Sequence, residues 1–346
     1  MIPMKKLKLI FFVLALVSLA ASLAAAQSEQ KFAELGDFKL ESGEVIRDCK
    51  LGYRTFGKLN ADKSNAILFP TWFGGTSDDL KDYFGKGKMV DDTKFFIIAV
   101  DALGNGASSS PTNGHNSQRG EQFPRFTIRD MVNAEHQLVT QTLKIKKLHA
   151  VMGISMGGMQ TFEWIVAYPK MMERAIPIVG TTYTTAYDLL LWSTELRVIE
   201  EARKLDTAEN AGAAMVARIH ALALFTPAYR NTATSRKEFQ AFVEKEEQNY
   251  LKTFKADDWA SQLRAMMEHD VSKRFNGSMQ QAAATVKTKV LVVVAQQDMM
   301  VNPDPAVKFA RLIKSKLLEV NNPCGHVYDA CKGNTVNATV AKFLTQ

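Results

Sequence analysis

Residues Gly153-Ile154-Ser155-Met156-Gly157 constrain this chain more than any other stretch of similar length. The run Leu148-His149-Ala150-Val151-Met152 before them reads as a short buried strand, and Gly158-Met159-Gln160-Thr161-Phe162-Glu163-Trp164-Ile165-Val166 after them reads as a helix. A serine placed between strand and helix sits on a sharp turn, the arrangement of a nucleophile elbow. Strand and helix approach closely there, so the flanking positions need little or no side chain, and Gly153 and Gly157 meet that need. Without the two flanking elements the same five residues would be an ordinary glycine-rich turn.

A serine hydroxyl is a poor nucleophile until a base takes its proton, so a histidine and an orienting acid must come from elsewhere in the chain. After an elbow of this kind they follow in the order acid, then histidine, at the C-terminal edge of a parallel sheet. Lys289-Val290-Leu291-Val292-Val293-Val294-Ala295 is an apolar, β-branched run of strand length, and Asp298 lies just past it. The next strand candidate, Lys316-Leu317-Leu318-Glu319-Val320, leads through Asn321-Asn322-Pro323-Cys324-Gly325 to His326. The other histidines fit less well. His149 precedes the elbow strand, His136, His220 and His269 lie in helix-like stretches, and His115, the one serious rival, sits in a polar loop ahead of the serine. Asp304 and Asp329 compete with Asp298 but read as loop carboxylates.

Strand-like runs at 66–69, 95–100, 149–152 and 174–179 alternate with helical ones such as 127–143. That alternation predicts an α/β fold, a mostly parallel sheet with helices on both faces, whose first part spans 27–180 and whose second part spans 288–346. Between them, over 181–287, strand signals vanish and helix-friendly stretches such as 200–218 and 238–254 predict a helical lid insertion. Tyr183, Tyr187, Trp192, Met215 and Met266 are candidates to line a pocket beneath it, although such residues at helical spacing are more often plain core. The loop 101–111 follows a strand and is rich in turn formers, which places it at the border of the active site.

Several longer words carry a resemblance. Tyr53-Arg54-Thr55-Phe56-Gly57-Lys58-Leu59-Asn60, Asn65-Ala66-Ile67-Leu68, Phe123-Pro124-Arg125-Phe126-Thr127-Ile128-Arg129-Asp130-Met131-Val132 and Ser155-Met156-Gly157-Gly158-Met159-Gln160, with Glu163-Trp164 and Tyr168-Pro169, resemble homoserine O-acetyltransferase and its α/β-hydrolase relatives. The resemblance runs from about Leu51 to Pro169 and returns at Asp298 and His326. It implies an α/β-hydrolase fold with Ser155 as nucleophile, Asp298 as acid and His326 as base. Gap-free placement from Asn65 assigns one oxyanion donor to the N–H of Phe73, with Trp72 as the near alternative, and geometry assigns the other to Met156, next after the nucleophile. Two positions bear on homoserine. The aspartate that follows the catalytic histidine in those enzymes and meets the substrate's amino group is Val327 here, and the arginine that meets the substrate carboxylate corresponds either to Arg197 or to nothing.

The N-terminus argues against homoserine independently. Lys5, Lys6 and Lys8 precede an apolar run over 9–21, and Ala24-Ala25-Ala26 offers a small-residue cleavage site before Gln27, the three-part pattern of a signal peptide over 1–26. The apolar run is short for a bilayer span of roughly 20 residues, so a periplasmic or secreted protein without a stable membrane anchor is expected. Acetyl-CoA is cytosolic, so an exported relative is expected to pass its acyl group to water. Cleavage removes three lysines and no acid, so the formal charge falls from +7 to +4, with no basic stripe of the kind nucleic acid requires. No metal-spaced Cys or His cluster is present, and no cofactor is expected. Cys324 and Cys331 are positioned to close a short loop around His326 in an oxidising compartment or to remain as two buried thiols, and Cys49 is left unpaired. The expected activity is that of an exported serine hydrolase cleaving a small-molecule carboxylic ester through an acyl-serine, as a monomer or a homodimer. The alternatives are an O-acyltransferase using an acyl-CoA donor and a noncatalytic binding protein on a hydrolase scaffold.

Overall fold

The computed structural model describes residues 29–206, 208–331 and 335–346, so the expected signal peptide lies outside the described residues. Eight strands, β1 (Lys31–Lys39), β2 (Val45–Phe56), β3 (Ala66–Pro70), β4 (Phe96–Val100), β5 (Leu148–Ile154), β6 (Met172–Ile178), β7 (Lys289–Ala295) and β8 (Lys316–Val320), form one sheet. Its order is β1-β2-β4-β3-β5-β6-β7-β8. β1 pairs antiparallel with β2, and β2 with β4; every other pairing is parallel.

Period-two alternation sorts the central strands onto two faces. Ala66, Leu68, Ile98, Val100, Val151, Val290 and Val292 join one buried cluster, while Ile67, Phe69, Ile97, Ala99, Met152, Leu291 and Val293 join the other. The first face is covered by α1 (Ile128–Gln137) and α2 (Met156–Ala167) through Met131, Val132, Met159 and Phe162. The second face is covered by the segment 79–90, through Leu80, Phe84, Met89 and Val90, and by α10 (Val336–Leu344) through Val336, Val340 and Phe343, while α9 (Asp304–Leu312), which follows β7, joins the first face through Phe309. Burial on both faces is why these strands read as continuous apolar runs.

Family words in the sequence turn out to be braces between these helices. Thr127 and Asp130 form a reciprocal capping box that starts α1. Arg129 then pairs with Glu163 on α2 at 2.7 Å, and Trp164 Nε1 donates to the wholly buried Glu135 at 2.6 Å. Burial pushes the Glu135 carboxyl up to about 8.

Between β6 and β7 the chain forms α3 (Ala186–Leu205), α4 (Ala213–Leu224), α5 (Pro227–Ala233), α6 (Phe239–Thr253), α7 (Ala256–Met267) and α8 (Met279–Thr285). A continuous helix over 200–218 does not form. The Asp206 N–H closes α3 on the Ala202 carbonyl at 2.9 Å, and Gly212, at φ +81°, restarts the chain as α4 folded back on α3. That left-handed φ favours glycine, and a Cβ on Gly212 would also crowd the Ala202 Cβ at 3.2 Å. α8 packs on α2 and α9. Among the described residues no helix is long and apolar enough to cross a membrane.

A close backbone approach lies where α2 leaves the elbow beside the end of β6. A Cβ on Gly158 would stand 2.8 Å from the Ile178 carbonyl oxygen and 3.0 Å from the Gly180 Cα, both backbone atoms that no rotamer change can move. Gly158→Ala is therefore expected to destabilise the fold by about 1–3 kcal/mol through overpacking. A urea titration of the purified variant measures this, and an unchanged midpoint would contradict the packing described.

Candidate active site

Ser155 stands between β5 and α2 at φ 58°, ψ −119°, a backbone conformation that a non-glycine residue holds only under strain. Its N–H donates to the Ile178 carbonyl at 2.9 Å, which pins the turn to β6. The glycines around it are space requirements: a Cβ on Gly153 would meet the Gly157 carbonyl at 2.4 Å, and one on Gly157 would meet the Pro70 oxygen at 2.6 Å.

Asp298 lies three residues past β7, and His326 lies on the loop after β8. The structure brings both to the serine. The His326 Nε2 is 2.9 Å from the Ser155 Oγ, and its Nδ1 is 2.7 Å from the Asp298 Oδ2. The other Asp298 oxygen accepts the N–H groups of Met300 and Val301 at 2.8 and 2.9 Å, so the carboxylate cannot rotate away from the imidazole. The Asp298 and His326 side chains are only 1% and 8% exposed, which strengthens each polar contact in the chain.

The histidine loop is anchored at several points. Cys324 and Cys331 are joined by a disulfide that closes the loop carrying His326, while Cys49 remains a buried free thiol. The His326 N–H donates to the carbonyl of Leu224 at the end of α4, and Thr226 Oγ1 donates to the Pro323 carbonyl. Asn322 adds a side-chain bond to the Tyr328 carbonyl at 2.9 Å.

Opposite this loop, residues Trp72, Phe73, Gly74 and Gly75 make a tight turn closed by the Gly75 N–H on the Trp72 carbonyl. Gly74 takes φ +69° at its third position, where a glycine is preferred. Its N–H donates to Oε1 of the wholly buried Gln262 on α7, whose Nε2 donates to the Leu103 carbonyl. The N–H groups of Phe73 and Met156 bond no protein acceptor among the described residues.

Ser155, His326, Trp72 and Phe73 line one cavity of about 190 Å³. Trp192 and Met266, expected at a pocket, also line it. Tyr187 and Met215 lie exposed instead, and Tyr183 bridges to Asp270 away from the cavity. Arg197 is not brought to the site: it points to solvent on α3, 71% exposed, and pairs with Glu201 at 2.6 Å. The loop 101–111 does not border the cavity either. It lies one layer behind, where Asn105 Nδ2 donates to the Gly75 carbonyl and the buried Asp101 accepts from Ser77, and so braces the turn that does.

Of the rival side chains, His115 bonds Ser117 in an exposed loop and Asp304 pairs with Lys308 on α9. Asp329 does line the cavity, where it accepts from the Tyr83 hydroxyl at 2.8 Å. Burial and that carboxylate push the Tyr83 phenol above its ordinary value, so it stays a donor. Val327 lines the cavity as the sequence placed it, beside His326. Sequence reasoning missed Tyr83, Leu224, Met300 and His220 as lining residues, because their neighbourhoods are ordinary helical or turn sequence.

Comparison with known proteins places the fold in a family. Residues 66–328 match the family model described as the alpha/beta hydrolase fold. The ethyl acetate hydrolase of Pseudomonas veronii is 31% identical over 328 residues, covering 90% of this chain and 94% of its own length. A homoserine O-acetyltransferase of Chlorobaculum parvum is 29% identical, covering 93% of this chain and 96% of its own. The crystal structure of an acetylester hydrolase from Corynebacterium glutamicum superposes with a TM-score of 0.86 at 29% identity, covering 93% of this chain and 98% of that one. The chain is an enzyme of the alpha/beta hydrolase fold family, among relatives that include both esterases and homoserine O-acetyltransferases.

Proposed function

We propose that the protein is an exported esterase that hydrolyses a small carboxylic ester through an acyl-serine at Ser155. One observation carries the reading: Asp298, His326 and Ser155 form an unbroken hydrogen-bonded chain opening into a small, largely apolar cavity. In this reading His326 Nε2 takes the proton of Ser155 Oγ as the hydroxyl adds to the ester carbonyl. Asp298 holds the ring tautomer through Nδ1 and offsets the charge on the imidazolium. The tetrahedral oxyanion is met by the N–H groups of Met156 and Phe73, with Trp72 the neighbouring alternative for the second donor. His326 then gives its proton to the departing alcohol. It next deprotonates a water that attacks the acyl-serine, which releases the acid and restores the hydroxyl. No step asks for a cofactor.

Water rather than homoserine is the acceptor in this reading, because Val327 offers an ammonium no charge partner and Arg197 faces solvent. The ester hydrolases of Pseudomonas veronii and Corynebacterium glutamicum support the same choice by similarity. Export rests on the signal-peptide pattern over 1–26 and on the Cys324–Cys331 disulfide, a bond that persists in oxidising compartments.

Three measurements test the reading. Ser155→Ala is expected to lower kcat for nitrophenyl esters by at least about 10⁴-fold and to abolish organophosphonate labelling, with His326→Ala similarly severe and Asp298→Asn milder. Near-normal turnover in Ser155→Ala sinks the acyl-serine. With acetyl-CoA as donor, the wild-type protein is expected to show no saturable homoserine-dependent release of CoA, and Val327→Asp to improve acceptance only slightly. Acetylation of homoserine faster than ester hydrolysis would restore the acyltransferase. Mass spectrometry of the native protein should find a chain beginning near Gln27, and an intact Met1 in the cytosol would remove the case for export.

A further inference from the structure

The cavity holds a second histidine–carboxylate pair that the mechanism at Ser155 does not use. His220 on α4 lines the cavity with its side chain 11% exposed, and its Nδ1 lies 2.7 Å from Oε1 of Glu195 on α3. Glu195 is wholly buried, and among the described residues it has no other cationic partner. Three residues back on α3, and so on the same helix face, Trp192 lines the same cavity at 1% exposed. Its indole Nε1–H is buried without a hydrogen-bond partner among the described residues. A buried donor left unpaired is a standing cost that a ligand atom removes.

We propose that Trp192 and His220 form a polar subsite that recognises a hydroxyl group on the ester substrate, so that the preferred substrate class is a hydroxy ester rather than a plain alkyl ester. The inference rests on the esterase reading above. An indole N–H only donates. With the Nδ1 proton directed at Glu195, the His220 Nε2 accepts when the ring is neutral and donates when it is protonated, and no protein group among the described residues occupies it. A hydroxyl is both acceptor and donor, so it can satisfy either nitrogen, whereas a methyl group in its place satisfies neither. The surrounding wall is apolar, with Phe73, Leu224, Met266, Met300 and Val301, and Phe73 stacks on the His220 ring at 5.8 Å between centroids. A single polar patch in such a wall fixes orientation as well as identity.

The test uses esters in which a hydroxyl replaces a methyl of nearly the same size. Ethyl 3-hydroxybutanoate against ethyl 3-methylbutanoate probes the acyl side, and 2-hydroxypropyl acetate against 2-methylpropyl acetate probes the alcohol side. In at least one pair the wild-type enzyme is expected to favour the hydroxy ester by about 10-fold or more in kcat/KM, since a site built for a hydroxyl rejects its isostere. Trp192→Phe and His220→Leu should each bring that ratio toward one, with organophosphonate labelling of Ser155 verifying a folded site. His220→Leu strands the Glu195 carboxylate, and if that variant does not fold, Trp192→Phe decides alone. A wild-type ratio near one in both pairs, or a ratio unmoved by Trp192→Phe, overturns the subsite and leaves the esterase standing. Failure to hydrolyse any of the four esters, together with no labelling of Ser155, removes the esterase reading and the subsite with it.

Discussion

The close approach of α2 to the ends of β5 and β6 is the constraint on which the rest depends. Ser155 holds φ 58° because the Ile178 carbonyl takes its N–H and because Gly153, Gly157, Gly158 and Gly180 leave backbone against backbone on every side of the turn. Strain of this kind persists only when the surroundings over-determine it. The two helices that bury the sheet face beneath the turn are joined by Arg129–Glu163 and Trp164–Glu135, so the elbow helix is fixed along its length and not only at its start. Gln160 adds a bond from α2 to the Thr71 carbonyl, next to the Trp72–Gly75 turn, and so sets the nucleophile and the turn opposite it in one frame.

Much of this frame was legible before any coordinates. The central strands announce themselves because both faces are buried, and the loops carrying Asp298 and His326 follow strands that read plainly as apolar runs. The family words matched residues that mostly hold helices together, such as Thr127, Arg129, Asp130 and Glu163. They are therefore specific for the fold and silent on the substrate. β1 and β2 were harder to read: they lie at one edge, carry many polar residues and bend at Gly36, where the register of the pair shifts.

The helical segment resisted reading for a physical reason. Its helices present ordinary amphipathic faces, and whether a methionine or tryptophan meets the cavity or solvent depends on how one helix turns against the next. Met215 and Met266 are alike in sequence context, yet one is 51% exposed and the other 4%. The break between α3 and α4 was hidden by helix-friendly residues on both sides, and only Gly212 marked it. Arg197 illustrates the same limit, since an i,i+4 partner at Glu201 was present in the sequence and took the side chain outward.

Leu224 is the last residue of α4, and its carbonyl holds the His326 main chain. The same helix carries His220 into the cavity wall. The cover of the pocket and the position of the base are thus a single mechanical variable: a displacement of α4 wide enough to bare the serine would also draw the imidazole off it. Sequence drift in this helix is consequently not free to retune the pocket alone, because every change that shifts its last turn is also felt by the proton acceptor.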